Sequence, residues 1–350
     1  MLVVQRCRTA SALAGLCGLV VLSLLLGISV GPVHIPLSTV LKVLWSQIAS
    51  ALTHRHTQCV SSVYYEIVVG IREPRTLAAL VGGAALAVAG LMLQVLFRNP
   101  IVGPYVLGIS SSAMLFVGIA ILLGYTFGLG NLGPYTIVLA SFIGSLVASL
   151  LILVAASLVP SIVTLLVLGL MIGYFCSAVT NIMIVFAQQR RVHEFILWTF
   201  GSFSSYMWSQ VIVTYAACVP LLIASFAMYR QLNALLMGES YARTMGVNTR
   251  LARVAIVGLS SALTAVITSF AGPVAFIGMA VPLMARALLK TSNNAVLIPA
   301  VALLGASVTC LCDVAARVAF MGVEMPISTV TSLFGAPLLA YMLVRRRVRL

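Results

Sequence analysis

Long apolar runs, broken by short polar stretches, set the plan of this chain. Apolar runs of about 16 to 25 residues recur at 10–30, 77–96, 105–123, 134–156, 162–186, 208–229, 251–270, 274–289, 295–315 and 327–344. A helix of about 20 residues crosses a hydrocarbon core of about 30 Å. The pattern therefore predicts ten membrane-spanning helices. An even succession of short alternating strands, the mark of a β-barrel, is absent from the sequence. Within 77–96, Ala79, Gly83 and Ala87 recur every fourth residue, as do Ala85 and Ala89. Small side chains at that spacing let helices approach closely inside a bilayer. Gln94 is a rare polar residue near the end of this run, and Arg98-Asn-Pro-Ile-Val-Gly-Pro104 stops it.

Three polar interruptions stand out. Residues 31–65 read as an external loop with a short amphipathic helix at 38–52. Residues 190–205, with His193, Glu194 and Trp198, read as a polar re-entry. The most polar interruption lies between Tyr229 and Leu251 and contains Leu236-Met-Gly-Glu-Ser-Tyr-Ala-Arg-Thr-Met-Gly-Val247. Its periodicity predicts a short helix. Glu239 suits the positive end of the helix dipole, and Gly246 suits the position just past the last turn. Tyr241, Ala242 and Met245 fall on one apolar side. Periodicity alone favours an amphipathic loop lying on the lipid surface; the sharper reading is a handle gripped by a soluble partner.

Composition agrees with the pattern. Of 350 residues, 62% are hydrophobic and 7% charged, where a soluble domain carries about 25%. The fold class expected is all-α and polytopic, one transmembrane domain over 1–350. A net charge of +14 does not signal nucleic acid, because the arginines sit singly at the ends of runs. With both termini inside, thirteen of the twenty basic residues fall on inner segments and seven on outer ones, as the positive-inside rule requires. This puts Glu239 on the cytoplasmic side and Arg72, Arg75 and Arg317 on the outer side. The N-terminal run, 10–30, is too long for the core of a signal peptide and is counted as the first span. The seven cysteines form no C-x-x-C pair and read as small packed hydrophobes. His34, His54 and His56 lack a carboxylate or thiol cluster, so no metal site is expected.

The carboxylates decide what drives the molecule. There are six: Glu66, Glu73, Glu194, Glu239, Asp313 and Glu324. Only Asp313 lies inside an apolar run, four residues before Arg317, where the two share a helix face and can pair. That leaves no proton relay to argue from. The chain lacks a G-x-x-x-x-G-K-[ST] loop, H-E-x-x-H and G-x-S-x-G. A many-span protein without its own engine suggests that the engine is a separate subunit.

Several stretches together carry a family resemblance. They are Arg72-Glu-Pro-Arg-Thr-Leu-Ala-Ala-Leu80 with Gly90, Gln94, Arg98-Asn-Pro100 and Leu107-Gly108; Trp198-Thr-Phe-Gly-Ser202; and Met237-Gly-Glu-Ser-Tyr-Ala242 through Met245-Gly-Val247. Further matches are Gly272-Pro-Val-Ala-Phe-Ile-Gly278, Val281-Pro-Leu-Met-Ala-Arg286, and Pro299 through Asp313, Arg317, Glu324-Met-Pro326 and Gly335-Ala-Pro337. In these the chain resembles the permease subunit of type II ABC importers, which take up iron–siderophore complexes, haem and cobalamin. The resemblance implies a bacterial inner-membrane protein, a second permease copy, and two ATP-binding subunits that bind ATP and Mg. It also implies an extracytoplasmic binding protein, and no cofactor on this chain. It implies that Gly238, Glu239, Ser240, Ala242, Arg243, Met245 and Gly246 couple to the ATPase. Asn99, Pro100, Ile101, Ser161 and Thr164 are implied to form a gate, although Asn-Pro read alone is a helix stop. Arg72, Arg75 and Arg317 are implied to dock the binding protein. Read alone, they are snorkelling arginines or local partners of Glu66, Glu73 and Asp313. Two departures are Leu283, where the family commonly has His, and Ser110-Ser-Ser112 in place of glycines. The function expected is ATP-driven import of a metal chelate; the alternative is an ion-gradient-driven secondary transporter.

Overall fold

The computed structural model describes residues 2–33, 35–53, 62–124, 133–159, 161–319 and 324–344. His34, His54, Arg55, His56, Cys59 and Arg345, Arg346, Arg347 and Arg349 lie outside the described residues. Every regular element among those described is helical. α1 (Leu2–Ser29) is followed by the amphipathic α2 (Leu37–Thr53), which buries Val40 and Val43 and exposes Trp45. α3 (Ser62–Tyr65) continues through a π-helical stretch, Glu66–Arg72, into α4 (Glu73–Phe97). A 3₁₀ turn (Pro104–Leu107) leads into α5 (Ile109–Gly118), which ends in a second π-helical stretch, Ile119–Leu123. Next come α6 (Pro134–Leu158), α7 (Ile162–Phe186), α8 (Gln189–Thr199) and α9 (Trp208–Ala227). The remainder is α10 (Tyr229–Leu236), α11 (Glu239–Thr244), α12 (Thr249–Ala271), α13 (Ile277–Leu289), α14 (Asn294–Val318) and α15 (Ile327–Val344). Among the described residues seven helices are long and apolar enough to cross a membrane. Three shorter apolar helices, Ile109–Leu123, Ile277–Leu289 and Ile327–Met342, complete the ten runs seen in the sequence.

α4 is the hub. It packs against α1, α9, α12, α13 and α14, and nearly all of its residues are buried. Lipid tails are as apolar as leucine, so close backbone contact rather than water exclusion holds such helices together. The small-residue repeat supplies that contact. A Cβ on Gly83 would stand 2.2 Å from the Gly305 carbonyl of α14, and one on Gly90 would stand 1.6 Å from the Gly278 carbonyl of α13. Gln94 adds a polar tie. Its Nε2 donates to the Met279 carbonyl at 3.0 Å, and its Oε1 accepts from Arg286 Nη1 at 3.1 Å. Tyr215 of α9 donates to the Leu77 carbonyl at 3.0 Å.

Several boundaries differ from the sequence expectation, each for a local reason. The second span starts before residue 77: Arg72 to Arg75 are already helical. Pro74 is tolerated because a proline near the start of a helix forfeits an N–H that has no ladder partner there. The π-helical turns just before it have already broken the α-helical ladder. The eighth span starts at Ile277 and not at 274, since Phe276 adopts φ 66°, a left-handed conformation that ends the non-helical entry 272–275. The stretch 190–205 is largely the helix α8, seated through the buried Phe195. Ser112, one of the departures from the family pattern, donates to the Gly144 carbonyl at 2.7 Å and so fastens α5 to α6. α4 and α13 each end on a basic residue in the left-handed region, Arg98 (φ 47°) and Lys290 (φ 51°). Cys176, Cys218 and Cys310 are buried and unpaired, while Cys17 is exposed.

Replacing Gly90 by valine forces α4 off the Gly278 carbonyl. Overpacking of this severity costs about 3 kcal/mol or more. Gly90→Val is expected to abolish a monodisperse peak of detergent-extracted protein, whereas Gly15→Ala, with nothing within 4 Å, leaves it unchanged.

Candidate functional site

The polar residues gather at two ends of the bundle. Arg75 is the third residue of α4 and Arg98 follows its last, so the two stand about 35 Å apart at helical rise. At one end, Asp313 of α14 is 1% exposed. Arg75 holds it with a fork: Nε lies 3.1 and 3.0 Å from the two carboxylate oxygens, and Nη2 lies 2.9 Å from Oδ1. Arg317, one turn along, places Nη2 2.9 Å from Asp313 Oδ2. Arg75 also meets Glu324 through Nη1. Arg72 and Arg317 have a second task, because the last carbonyls of a helix lack intrahelical donors. Arg72 Nη1 donates to the Ile28 and Ser29 carbonyls at 3.1 and 2.7 Å, and Arg317 Nη1 donates to Gly27 at 3.0 Å. Arg72 Nη2 donates to Val33 as well. Guanidinium groups from α4 and α14 thus close the C-terminus of α1. The three arginines and Glu324 line a cleft of about 720 Å³, with Gly31 and Val33 opposite.

The structure therefore gives Arg72, Arg75 and Arg317 local partners and buries most of each side chain. Asp313 is a partner, as its spacing from Arg317 indicated. Glu73 is not: it accepts from Gln47 at 3.1 Å. Glu66 forms no ion pair with these arginines among the described residues. The partner that sequence reasoning missed is Glu324, half exposed beyond the end of α14 and 249 positions from Arg75. Nothing in its local pattern announces that contact.

At the other end, α10 and α11 lie against the bundle through buried Leu232, Leu235 and Ala242. Gly238 (φ 115°) and Gly246 (φ 83°) bracket α11 in conformations that side chains disfavour. Gly246 thus sits just past the helix, as its position in the sequence suggested. Glu239 Oε1 accepts from Arg243 Nη2 and from Arg253 Nη2, both at 3.0 Å. Burial alone would raise the pKa of Glu239. The hydrogen bond from Arg243 and the charge of Arg253 outweigh it and hold the carboxyl below its ordinary value. The apolar side read from periodicity divides in two. Ala242 is fully buried, while Tyr241 and Met245 are 53% and 60% exposed, beside Met237 at 72% and exposed Ser240. The helix rests on its smallest side chain and presents its larger ones outward.

The residues assigned to a gate lie in two turns. Asn99 Oδ1 accepts from the Ile101 amide at 3.0 Å, an Asx turn beside Pro100. Ser161 is the N-cap of α7 and accepts from the Thr164 amide at 3.3 Å. The Asx turn adjoins α11, because a Cβ on Gly238 would lie 3.7 Å from Arg98 Nη1.

Residues 19–345 match the family model described as the FecCD transport family. The chain belongs to the FecCD transport family. Relatives within this family's reach include the hemin transport system permease protein HmuU of Yersinia pestis. It is 34% identical over 284 residues, covering 81% of this chain and 84% of that protein. The vitamin B12 import system permease protein BtuC of Escherichia coli O9:H4 (strain HS) is 34% identical over 277 residues, covering 79% and 83%. Among solved structures, an inward-facing metal-chelate type ABC transporter superposes with a TM-score of 0.80 at 24% identity. It covers 96% of this chain and 99% of that one. That likeness shows the all-helical fold expected from the apolar runs and from the family resemblance.

Two predictions follow from the ion pairs of this FecCD chain. Asp313→Ala leaves buried Arg317 without its carboxylate and Arg75 with only Glu324, and breaking a buried pair from one side costs about 3–5 kcal/mol. Thermal unfolding in detergent is expected to show that loss, with Arg75→Met/Asp313→Leu less damaging than Asp313→Ala alone. For Glu239, a lowered folded pKa means its stabilising contribution is present above the ordinary 4.5 and is lost as pH falls through the lower folded value. The ¹³C carboxyl resonance of Glu239 is expected to titrate with a midpoint below 4.5.

Proposed function

We propose that this chain is the membrane-spanning permease subunit of an ATP-binding cassette importer. Its cargo is an iron(III)–siderophore, haem or cobalamin-like chelate, bound for the cytoplasm. Membership of the FecCD family and relatives named for hemin and vitamin B12 support the cargo class. The observation that carries the mechanism is α11 itself. Exposed Met237, Tyr241 and Met245 stand on or beside a helix held to α12 by the Glu239–Arg253 ion pair and the Arg243–Thr249 hydrogen bond. Apolar side chains held out on an otherwise polar loop suit a protein partner, since aromatic residues and methionine are enriched at the cores of interfaces.

In this reading a separate ATPase subunit grips the segment around Gly238, Glu239, Ser240, Ala242, Arg243, Met245 and Gly246. Its nucleotide cycle shifts α11 and changes which side the pathway faces. Asn99, Pro100, Ile101, Ser161 and Thr164 bound the inner end of that pathway. A second permease copy completes it. The broad apolar faces of α7 and α15, with Tyr174, Phe175, Leu333 and Phe334 exposed, are available to that copy or to lipid. Both termini then lie on the cytoplasmic side of the inner membrane.

At the opposite end an extracytoplasmic binding protein delivers cargo and presents carboxylates to the cleft of Arg72, Arg75 and Arg317. Three guanidinium groups there face two carboxylates, Asp313 and Glu324, leaving one positive charge in excess to steer an acidic partner. An ion-gradient carrier would need a carboxylate free to load and release its ion. The one deeply buried carboxylate, Asp313, is held by two arginines.

The test uses proteoliposomes containing this chain, the P-loop ATPase encoded beside it and its binding protein. Uptake of radiolabelled haemin or cyanocobalamin is expected with ATP and not with a non-hydrolysable analogue. Uptake that follows a proton gradient and ignores ATP would refute the reading. Tyr241→Glu/Met245→Glu should lower co-purification of the ATPase by about tenfold, equal to about 1.4 kcal/mol, while the chain still elutes as folded protein.

A further inference from the structure

One side chain beside α11 has contacts that the coupling reading leaves unused. Arg253, in the second turn of α12, is 5% exposed and reaches in two directions. Its Nη2 lies 3.0 Å from Glu239 Oε1 on α11. Its Nη1 donates to the Val159 carbonyl at 2.6 Å. Val159 follows the last residue of α6 in an extended conformation, and Ser161, two residues on, caps α7. A carbonyl at a helix C-terminus has no intrahelical donor, and Arg253 supplies one. A single planar guanidinium thus joins α11, α12 and Val159, at the start of the connection between α6 and α7.

Arg243 makes a contrast. It too bonds Glu239 Oε1 at 3.0 Å, but its side chain is 66% exposed, where water and salt screen an ion pair to little net value. Arg253 is enclosed, and its bonds to Glu239 and Val159 leave from different nitrogens of one rigid fork. α12 also lies along α6: a Cβ on Gly258 would meet Leu153 at 3.5 Å. A push on α11 therefore has a direct route to Val159 through Arg253, whereas the bonds of Arg243 run within α11, to Glu239, and to Thr249 at the start of α12.

We propose that Arg253 is a positioning residue that transmits displacement of α11 to the turn joining α6 and α7. The transport role rests on the reading of α11 as the ATPase handle; the mechanical tie does not. A lysine keeps the charge and three donors but gathers them on one nitrogen of a flexible stem, so Arg253→Lys loses the rigid fork that fixes Glu239 and Val159 relative to each other.

The experiment has two arms. In the first, the full chain sits in lipid nanodiscs with nitroxides at Ser240 and at the exposed Leu158, on a background with the native cysteines replaced. Pulsed and continuous-wave EPR read the distance distribution. Wild type and Arg243→Ala are expected to share one narrow distribution, and Arg253→Lys to broaden it. An unchanged distribution in Arg253→Lys, or equal broadening in Arg243→Ala, overturns the tie. In the second arm, haemin or cyanocobalamin moved per ATP hydrolysed is measured in the proteoliposomes. Arg253→Lys is expected to lower that ratio by about tenfold, with ATPase co-purification and hydrolysis retained. An unchanged ratio, or joint loss of hydrolysis and ATPase binding, overturns the transmitting role. If wild type moves neither probe with ATP, the transport reading falls, and the EPR arm still decides whether Arg253 binds the two elements together.

Discussion

The structure depends on how closely two helix backbones can approach α4. At Gly83 and Gly90 that helix meets the carbonyls of Gly305 and Gly278 at distances no Cβ could occupy. A bilayer supplies no water to expel between helices, so such contact must come from shape and dispersion. The consequence reaches beyond stability. α4 carries Arg75 at one end and leads into Arg98 and Asn99 at the other. A helix clamped along its length by α13 and α14 holds both polar ends in fixed register. Any movement that changes the pathway must then occur in elements around this clamp, not within it.

The two polar ends use one device in two environments. Asp313 and Glu239 each lie between two arginines. Asp313 is sealed, and one of its partners, Arg317, also closes the end of α1, so its pairs are expensive to break and serve as architecture. Glu239 is partly exposed, and one of its partners faces solvent, so its grip can be exchanged at lower cost. The difference lies in desolvation, not in the chemistry of the pair. It places rigidity on one side of the membrane and adjustability on the other.

Much of this was legible in the sequence, for identifiable reasons. Apolar run length revealed the ten helices, and four-residue spacing of small side chains revealed the seam of α4, because both are local periodicities. The Asp313–Arg317 pair was legible at i, i+4. The Arg75–Glu324 contact was not, since it joins positions far apart in the chain. Periodicity placed Tyr241, Ala242 and Met245 on one side of α11 but could not say which part of that arc faced inward. Side-chain volume decided it: alanine fits against the bundle where tyrosine does not. The π-helical stretch before Pro74 and the left-handed Phe276 were also beyond reach, because each depends on what neighbouring helices require of the backbone.

The basic residues that end α4 and α13 in a left-handed turn have a consequence for biogenesis. For a side chain other than glycine this geometry costs on the order of 1–2 kcal/mol, and a cation next to the last helical carbonyls recovers part of it. Glycine at Arg98 or Lys290 would relax the backbone. It would also erase a charge from the membrane face that bears α11, at the moment when the inserting chain is being threaded. The strained turn and a share of the charge difference between the two faces thus rest on the same two residues, so a change that relaxes the backbone of the finished bundle also reduces the asymmetry on which the positive-inside rule acts.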